Sequence, residues 1–250
     1  MTTIIDGSAG ITYPNSSTQA NSQVGFKNRV IDGGFIINQR GYTTGTSLSS
    51  GSYGHDRWKG GGSGGTYTFT QGSTGVNTTI TITAGSIQQV IEGCNMPEGG
   101  TYTLSWTGTA QGKIAGGSYS SSPVSATGLT AGANCTIEFN TGTLGNVQVE
   151  YGSTATSFDY RPYGTELQLC QRYYWVNLPA TNSPMTIGGV WNNTTNFTSS
   201  VQFPVPMRAS PSFSYLSALS NYGVVSNGII TPSALSSYGA STYSIGILAT

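Results

Sequence analysis

Charge is what this chain has least of. It carries 9 basic and 9 acidic residues among 250, or 7%, where a globular domain carries about a quarter. From Ala209 to Thr250 there is no Asp, Glu, Lys, Arg or His. A net charge of +0 argues against the basic stripe on which nucleic-acid binding depends. Histidine occurs once. His55 has only Asp56 beside it, and consecutive strand residues point to opposite faces, so no catalytic triad is expected and His55 reads as structural. Cysteine is sparse: Cys94, Cys135 and Cys170 are odd in number and widely spaced. They form neither a disulfide framework nor a metal pair and read as small buried hydrophobes. No apolar run approaches the roughly 20 residues that span a bilayer, so membrane insertion is not expected. The opening Met1–Asp6 has neither the basic nor the apolar region of a signal peptide.

Glycine (36), tyrosine (15), phenylalanine (8) and tryptophan (4) fill the space with Ser, Thr and Asn. Hydroxyls and amides hydrate such a surface, and the aromatics suffice for packed cores. Zero net charge is a solubility hazard for a free monomer, which points to association with further copies of the chain.

Three segments follow from the patterning. Residues 1–26 hold turn material, a short strand candidate at Ile11–Tyr13 and a polar stretch, and read as an arm that orders on a partner. Residues 27–163 alternate apolar and polar side chains at Tyr67–Thr70, Thr79–Thr83, Tyr102–Thr107, Thr136–Phe139 and Val147–Tyr151, the period of half-buried strands. Gly-rich breaks at 59–65, 72–77, 108–117 and 140–146 separate them, as in a sandwich or jelly roll. Residues 164–176 are the one helix candidate, with Thr165 and Gln168 as a capping box and Leu167, Cys170 and Tyr174 on one face. From 177 to 250 strand patterns return at Met185–Trp191, Ser200–Pro204, Phe213–Leu216 and Tyr243–Leu248, and Ser217–Gly223 is echoed at Ser233–Gly239. The expected fold is all-β: an arm, a jelly-roll sandwich, a short linking helix and a C-terminal β tip over 164–250.

Catalytic signatures fail on context. Gly61-Gly62-Ser63-Gly64-Gly65 spells G-x-S-x-G, but a strand follows it where a nucleophile elbow needs a helix, so it reads as a flexible hairpin loop. Gly108–Lys113 is one residue short of a phosphate loop. Glycoside cleavage needs two carboxylates in one cleft, and Glu138 and Glu150 read as wet-face residues of their strands. There is no EF-hand loop and no zinc ligand set. No cofactor is expected, and a structural Ca²⁺ on scattered carboxylates such as Asp32 or Asp159 stays open. Binding is better supported than catalysis. Aromatic platforms with neighbouring amides suit sugar rings and their hydroxyls, and Trp191, Asn192, Asn193, Asn221, Tyr222 and Tyr238 offer that chemistry.

Several blocks in a fixed order resemble bacteriophage tail-fibre and related virion proteins. Asn28–Phe35, Asn38-Gln39-Arg40-Gly41 and Tyr53–Trp58 are similar to the opening of a phage jelly-roll domain that itself resembles carbohydrate-binding modules. Ser86–Glu92 resembles its next strand. Val147–Gly152 with Ala155, Phe158 and Arg161–Gly164 resembles its closing strand, and Glu166–Tyr174 the helix that follows. Gly10–Pro14 with Thr18-Gln19 is similar to the arm of such fibres, and Pro206–Pro211 to their C-terminal domains. Asp32 stands where the pattern commonly has Asn. The resemblance implies a virion structural protein, made in the host cytoplasm without a signal peptide and usually trimeric. Residues 1–26 would bind other virion proteins, and a distal domain would meet a bacterial surface polysaccharide. A head fibre or capsid decoration protein is the alternative, and a glycan-cleaving tailspike a further one. Within the blocks, Trp58 is expected to fill the core, Asp56 and Arg57 to pair, and Arg40 and Arg172 to bond carbonyls or carboxylates at an inter-domain seam.

Overall fold

The structure, a computed structural model, describes residues 4–6, 10–12, 18–19, 26–176, 189–193, 196–214, 224–225, 229–230 and 232–249. The fold is an all-β sandwich with further small sheets and one α-helix. Every pairing between named strands is antiparallel. The N-terminal segment forms a three-stranded sheet of β1 (Ile4–Asp6), β2 (Gly10–Thr12) and β3 (Thr18–Gln19).

The sandwich comprises β4 (Ser47–Leu48), β5 (Lys59–Phe69), β6 (Ile80–Ile91), β7 (Gly100–Thr107), β8 (Gly112–Ile114), β9 (Val124–Leu129), β10 (Cys135–Phe139) and β11 (Gly142–Tyr151). Two long strands each serve both layers. The first part of β6 pairs β11 at Ile80–Ile82, and its second part pairs β10 at Ile87–Ile91. β11 passes on to β7, which pairs β9. The inner faces enclose one core, with Trp58, Tyr67, Ile80, Ile82, Ile87, Tyr102, Leu104, Ile137, Phe139, Leu144, Val147 and Val149 all buried.

The alternation of β6 switches parity. Ile80 and Ile82 point inward, and so do Ile87, Gln89 and Ile91. The switch occurs beside Gly85, whose φ of +65 suits glycine. Thr79–Thr83 and Ser86–Glu92 are therefore one strand in two registers. The Gly61–Gly65 run is not a loop, as its composition suggested, but the middle of β5. A Cβ on Gly61 would lie 2.0 Å from Ser86 Oγ, and one on Gly65 2.3 Å from Ser86 O. Here glycine lets two strands approach closely rather than break.

The helix α1 spans Tyr163–Gln171 and begins earlier than its expected capping box. Pro162 stands at the N-cap, and its carbonyl accepts the Thr165 and Glu166 amides at 3.0 and 3.1 Å. Thr165 lies inside the first turn and no side chain caps the end, because the proline at the N-cap has no side-chain acceptor; Glu166 is turned to Arg161 and the Asp32 amide. Cys170 and Leu167 pack on Ile31 and Ile37 as the periodicity predicts, whereas Tyr174 lies past the helix end. Cys135 and Cys170 are buried, but Cys94 is exposed, because it sits in the short 3₁₀ turn Gly93–Asn95 rather than on a strand.

The C-terminal part holds β12 (Gly189–Trp191), β13 (Phe197–Gln202), β16 (Leu235–Tyr238) and β17 (Ser244–Ala249) in the order β12-β13-β17-β16, with β14 (Val224–Val225) and β15 (Ile229–Ile230) as a separate pair. It joins the rest where Arg208 N–H donates to Arg172 O at 2.8 Å and Trp175 meets Phe203 edge-on. Phe213 and Ser214 are not strand. Residues 185–188 and 215–223, with the first copy of the internal echo, lie outside the described residues. Among the described residues no helix is long and apolar enough to cross a membrane.

Candidate functional site

Four sequence blocks, Asn28–Phe35, Ser86–Glu92, Val147–Gly152 and Arg161–Tyr174, are tied together by hydrogen bonds. Asn28 is buried. It donates Nδ2 to Val147 O and accepts the Val30 and Val149 amides on Oδ1, so the opening block is sewn to β11. Gln89 exchanges two bonds with the Ile31 backbone. In the closing block, Gln148 donates to Glu150, and Glu150 accepts Thr156 N–H and Oγ1–H. Arg161, its side chain 4% exposed, donates to Val30 O, Asn28 O and both oxygens of Glu166. That places a cation among two carbonyls and a carboxylate with no metal involved. Asp32 and Asp159, the carboxylates considered for calcium, accept backbone amides from Ile36, Ile37, Lys27 and Asn28.

The DRW block is divided among separate partners. Trp58 is fully buried and donates Nε1–H to Asp32 O at 2.8 Å. Asp56 and Arg57 do not pair. Asp56 accepts Gln39 N–H and Nε2–H at 2.7 and 3.2 Å, while Arg57 donates to Val90 O and stacks on Tyr173. Gln39 also reaches Tyr174 O at 2.9 Å, tying the sandwich to the helix end. His55 is fully buried with Nδ1 2.9 Å from Tyr67 Oη, and burial lowers its pKa to about 4, so the ring is neutral at pH 7. Burial raises the Asp56 pKa to about 6, opposed by the Gln39 bonds and Arg40.

The described carboxylates accept bonds from protein groups, with Asp32 Oδ2 the buried oxygen left over. Glu150 is buried, contrary to its expected wet face, because the loop at Thr156 folds over it. Glu138 is half-buried between Ser86 Oγ at 2.6 Å and Lys113 Nζ at 2.9 Å, and these bonds draw its pKa down against the cost of burial. Glu98 holds Arg29 and Tyr102 at 2.6 Å each. No described pair of carboxylates is left to face a water across a cleft, which is what glycoside cleavage requires. Among the described residues no group of three or more His, Cys, Asp or Glu is placed to hold a metal.

The expected sugar-binding residues fall in three places. Trp191, Asn192 and Asn193 share the β12–β13 hairpin. Trp191 is 38% exposed and packs edge-on against Phe197 at 5.6 Å. The amides build the turn: Asn192 N–H donates to Asn196 O at 2.9 Å, and Asn193 Oδ1 accepts Asn196 N–H at 2.8 Å. Tyr238 lies at the opposite edge of the sheet. Cross-strand partners share a face, so Trp191, Phe197, Ala249 and Leu235 form one row, and Tyr238, Gly246 and Ser200 another. The rows are three residues apart along β17, an odd step, so Trp191 and Tyr238 project from opposite faces. The Tyr238 ring covers Gly246, where a Cβ would come within 2.5 Å. Asn221 and Tyr222 lie outside the described residues.

One cluster was read only in part from the sequence, which expected Arg172 to meet a carboxylate at a seam but named neither Glu92 nor Arg57 and Arg208 beside it. Glu92, at the end of β6, accepts the Tyr173 hydroxyl at 2.6 Å and lies 3.3 Å from Arg208 Nε and 3.8 Å from Arg172 Nη2. Arg57 stands 3.6 Å over the Tyr173 ring, and Arg40 3.6 Å over the Tyr174 ring. Burial and the Glu92 bond push the Tyr173 phenol to about 12, so it stays neutral. Three of the nine cations, Arg57, Arg172 and Arg208, meet here from three separate segments, and the signal that could have found Arg57 and Arg208 was the scarcity of charge. Comparison with family models, with curated proteins and with solved structures gives no match to this chain.

Proposed function

We propose that the chain is a bacteriophage virion structural protein, a tail-fibre or receptor-binding protein that adheres to a bacterial surface polysaccharide without cleaving it. The observation that carries this reading is the β12–β13 hairpin. A partly exposed tryptophan, fixed by Phe197 and by an amide-built turn, stands on a sheet with no ionisable group in β12, β13, β16 or β17 except the Tyr238 phenol. Such a surface offers a stacking platform to the apolar face of a sugar and has no charge to desolvate. Val190, Trp191, Tyr238 and Tyr243 are all exposed on this part of the chain, and a trimer would cover part of that surface and multiply a weak site. Residues 1–26 would bind other virion proteins. The commitment of the described carboxylates to structural bonds supports adhesion over hydrolysis. The test is binding of the full-length protein to host cells and purified surface polysaccharide. Trp191→Ala is expected to weaken binding about tenfold or more, as loss of an aromatic anchor does, with unchanged oligomeric state by light scattering. Equal binding by Trp191→Ala and wild type would refute the assignment of the site.

A further inference from the structure

We propose that Arg57, Arg172 and Arg208, gathered around Glu92 and Tyr173, form a subsite for an anionic group, a carboxylate or phosphate, carried on a sugar. Identifying the carrier as a surface polysaccharide rests on the adhesion reading above; the oxyanion site itself does not.

The argument begins from charge balance. In a chain of net charge +0 with nine cations, three guanidinium groups and one carboxylate meet at one place. Among the described residues the other ion pairs are single, Arg29 with Glu98, Lys113 with Glu138 and Arg161 with Glu166, and Lys27, Arg40 and Lys59 are in none within 4 Å. Here two arginines share one carboxylate, and Arg57 beside them is in no ion pair within 4 Å. The local excess is therefore two positive charges.

The contacts leave the arginines with donors to spare. A guanidinium has five N–H donors in a planar fork that matches a carboxylate or phosphate with two parallel bonds. Arg208 meets Glu92 through Nε alone at 3.3 Å and is 57% exposed. Arg172 meets it through one Nη at 3.8 Å, beyond hydrogen-bond length, and is 41% exposed. Neither interaction is the bidentate pair that would satisfy both partners. Arg57 gives one Nη to Val90 O, and its Nε is buried without a partner. Its Cζ stands 3.6 Å over the Tyr173 ring, a contact that fixes the guanidinium in place and leaves Nη1 as the remaining donor with no described bond.

The elements that bring these groups together are the end of β6, the residues just past α1, and the Pro206–Arg208 segment, joined by the Arg208 N–H to Arg172 O bond. The site is thus held by backbone, not by long side chains alone. Tyr173, neutral and fixed by its bond to Glu92, is the flat surface beside it. An acidic sugar bound here would place its anion between Arg172 and Arg208, with Glu92 keeping the arginines apart from each other and in place.

The experiment is isothermal titration of the full-length protein with oligogalacturonate, with neutral dextran and with inorganic phosphate, at two salt concentrations. The expected result is saturable binding of oligogalacturonate that weakens with salt, with no heat from dextran at this site. Phosphate is expected to compete if the fork alone is sufficient. Arg208→Gln and Arg172→Gln should each lower the affinity about tenfold, the effect of losing one charge-assisted contact. Lys27→Gln, which removes the same charge from the Thr156–Ser157 end of the molecule, should change it less than twofold. Trp191→Ala should leave oligogalacturonate binding intact even if it abolishes adhesion to cells, so failure of the adhesion reading and failure of this one are separable. No saturable binding of oligogalacturonate or phosphate, or equal losses in Lys27→Gln and Arg208→Gln, would overturn the proposal. So would an Arg208→Gln protein that melts lower but binds as wild type, since the arginines would then serve only to hold Glu92.

Discussion

At the scale of single residues, Asp32 illustrates why a structural motif can look like a site. Its φ of +55 is a conformation that Asp and Asn adopt more readily than other side chains, which accounts for either residue standing there. It is fully buried. Oδ1 accepts the Ile36 and Ile37 amides at 2.7 and 3.1 Å, and Oδ2 has no partner. Burial foremost, with the nearby Glu166 carboxylate and against the two amides, pushes its pKa well above the ordinary range. An acid whose folded pKa is raised stabilises the fold below its unfolded pKa, near 4, and loses that contribution as pH rises through the folded value. Asp32→Asn keeps the acceptor and removes the charge. Its melting temperature should match wild type near pH 4 and exceed it increasingly as pH rises. A difference that is the same at every pH would contradict this. The variant comparison matters because other groups titrate too: His55, lowered to about 4, loses its contribution as pH falls from about 6.5, opposite in sign to Asp56, which loses its own as pH rises through about 6. None of this was legible in the sequence beyond the structural reading of His55 and the core position of Trp58. Asp56 and Arg57 are adjacent in sequence but take different partners, because each pairs with a segment distant along the chain.

At the scale of elements, the five strand patterns recognised by alternation are all strands, since burial of one face is what writes a period of two into a sequence. What alternation could not show is continuity. β6 reads as two pieces because Gly85 changes its parity, and the start of β11 at Gly142 reads as a break because glycine ordinarily interrupts strands. The same ambiguity hid the centre of β5, where glycines serve close approach. Neighbouring positions there should respond in opposite ways. Gly62→Ala meets nothing within 4 Å and should be neutral or stabilising by about 0.5 kcal/mol through the unfolded chain. Gly65→Ala drives a Cβ to 2.3 Å from Ser86 O and should cost about 2 kcal/mol or more. Urea unfolding of the two variants checks the contrast, and equal stabilities would refute the close-approach account. The helix was legible in place but not in its start, because Thr165 and Gln168 spell a capping box while the helix already begins behind Pro162, a residue that needs no cap to enter the first turn.

At the scale of the whole molecule, scarcity of charge was the feature of the sequence that carried furthest. It makes each of the few ions informative: three cations are matched singly inside the sandwich, and three arginines gather around Glu92 and Tyr173, where β6, the helix end and the Pro206–Arg208 segment meet. The candidate site was legible only in part. Trp191, Asn192 and Asn193 are neighbours in sequence and stay together on one hairpin, whereas Tyr238 belongs to the same sheet but to its other face, a relation set by register that no local pattern encodes. One measurement tests adhesion without cleavage most directly: a binding isotherm of the full-length protein on purified host surface polysaccharide, with reducing ends assayed in the same samples over hours. The account predicts saturable binding and a flat reducing-end signal. Reducing ends that accumulate with protein concentration, or no binding to polysaccharide by a protein that instead binds purified capsids, would contradict it.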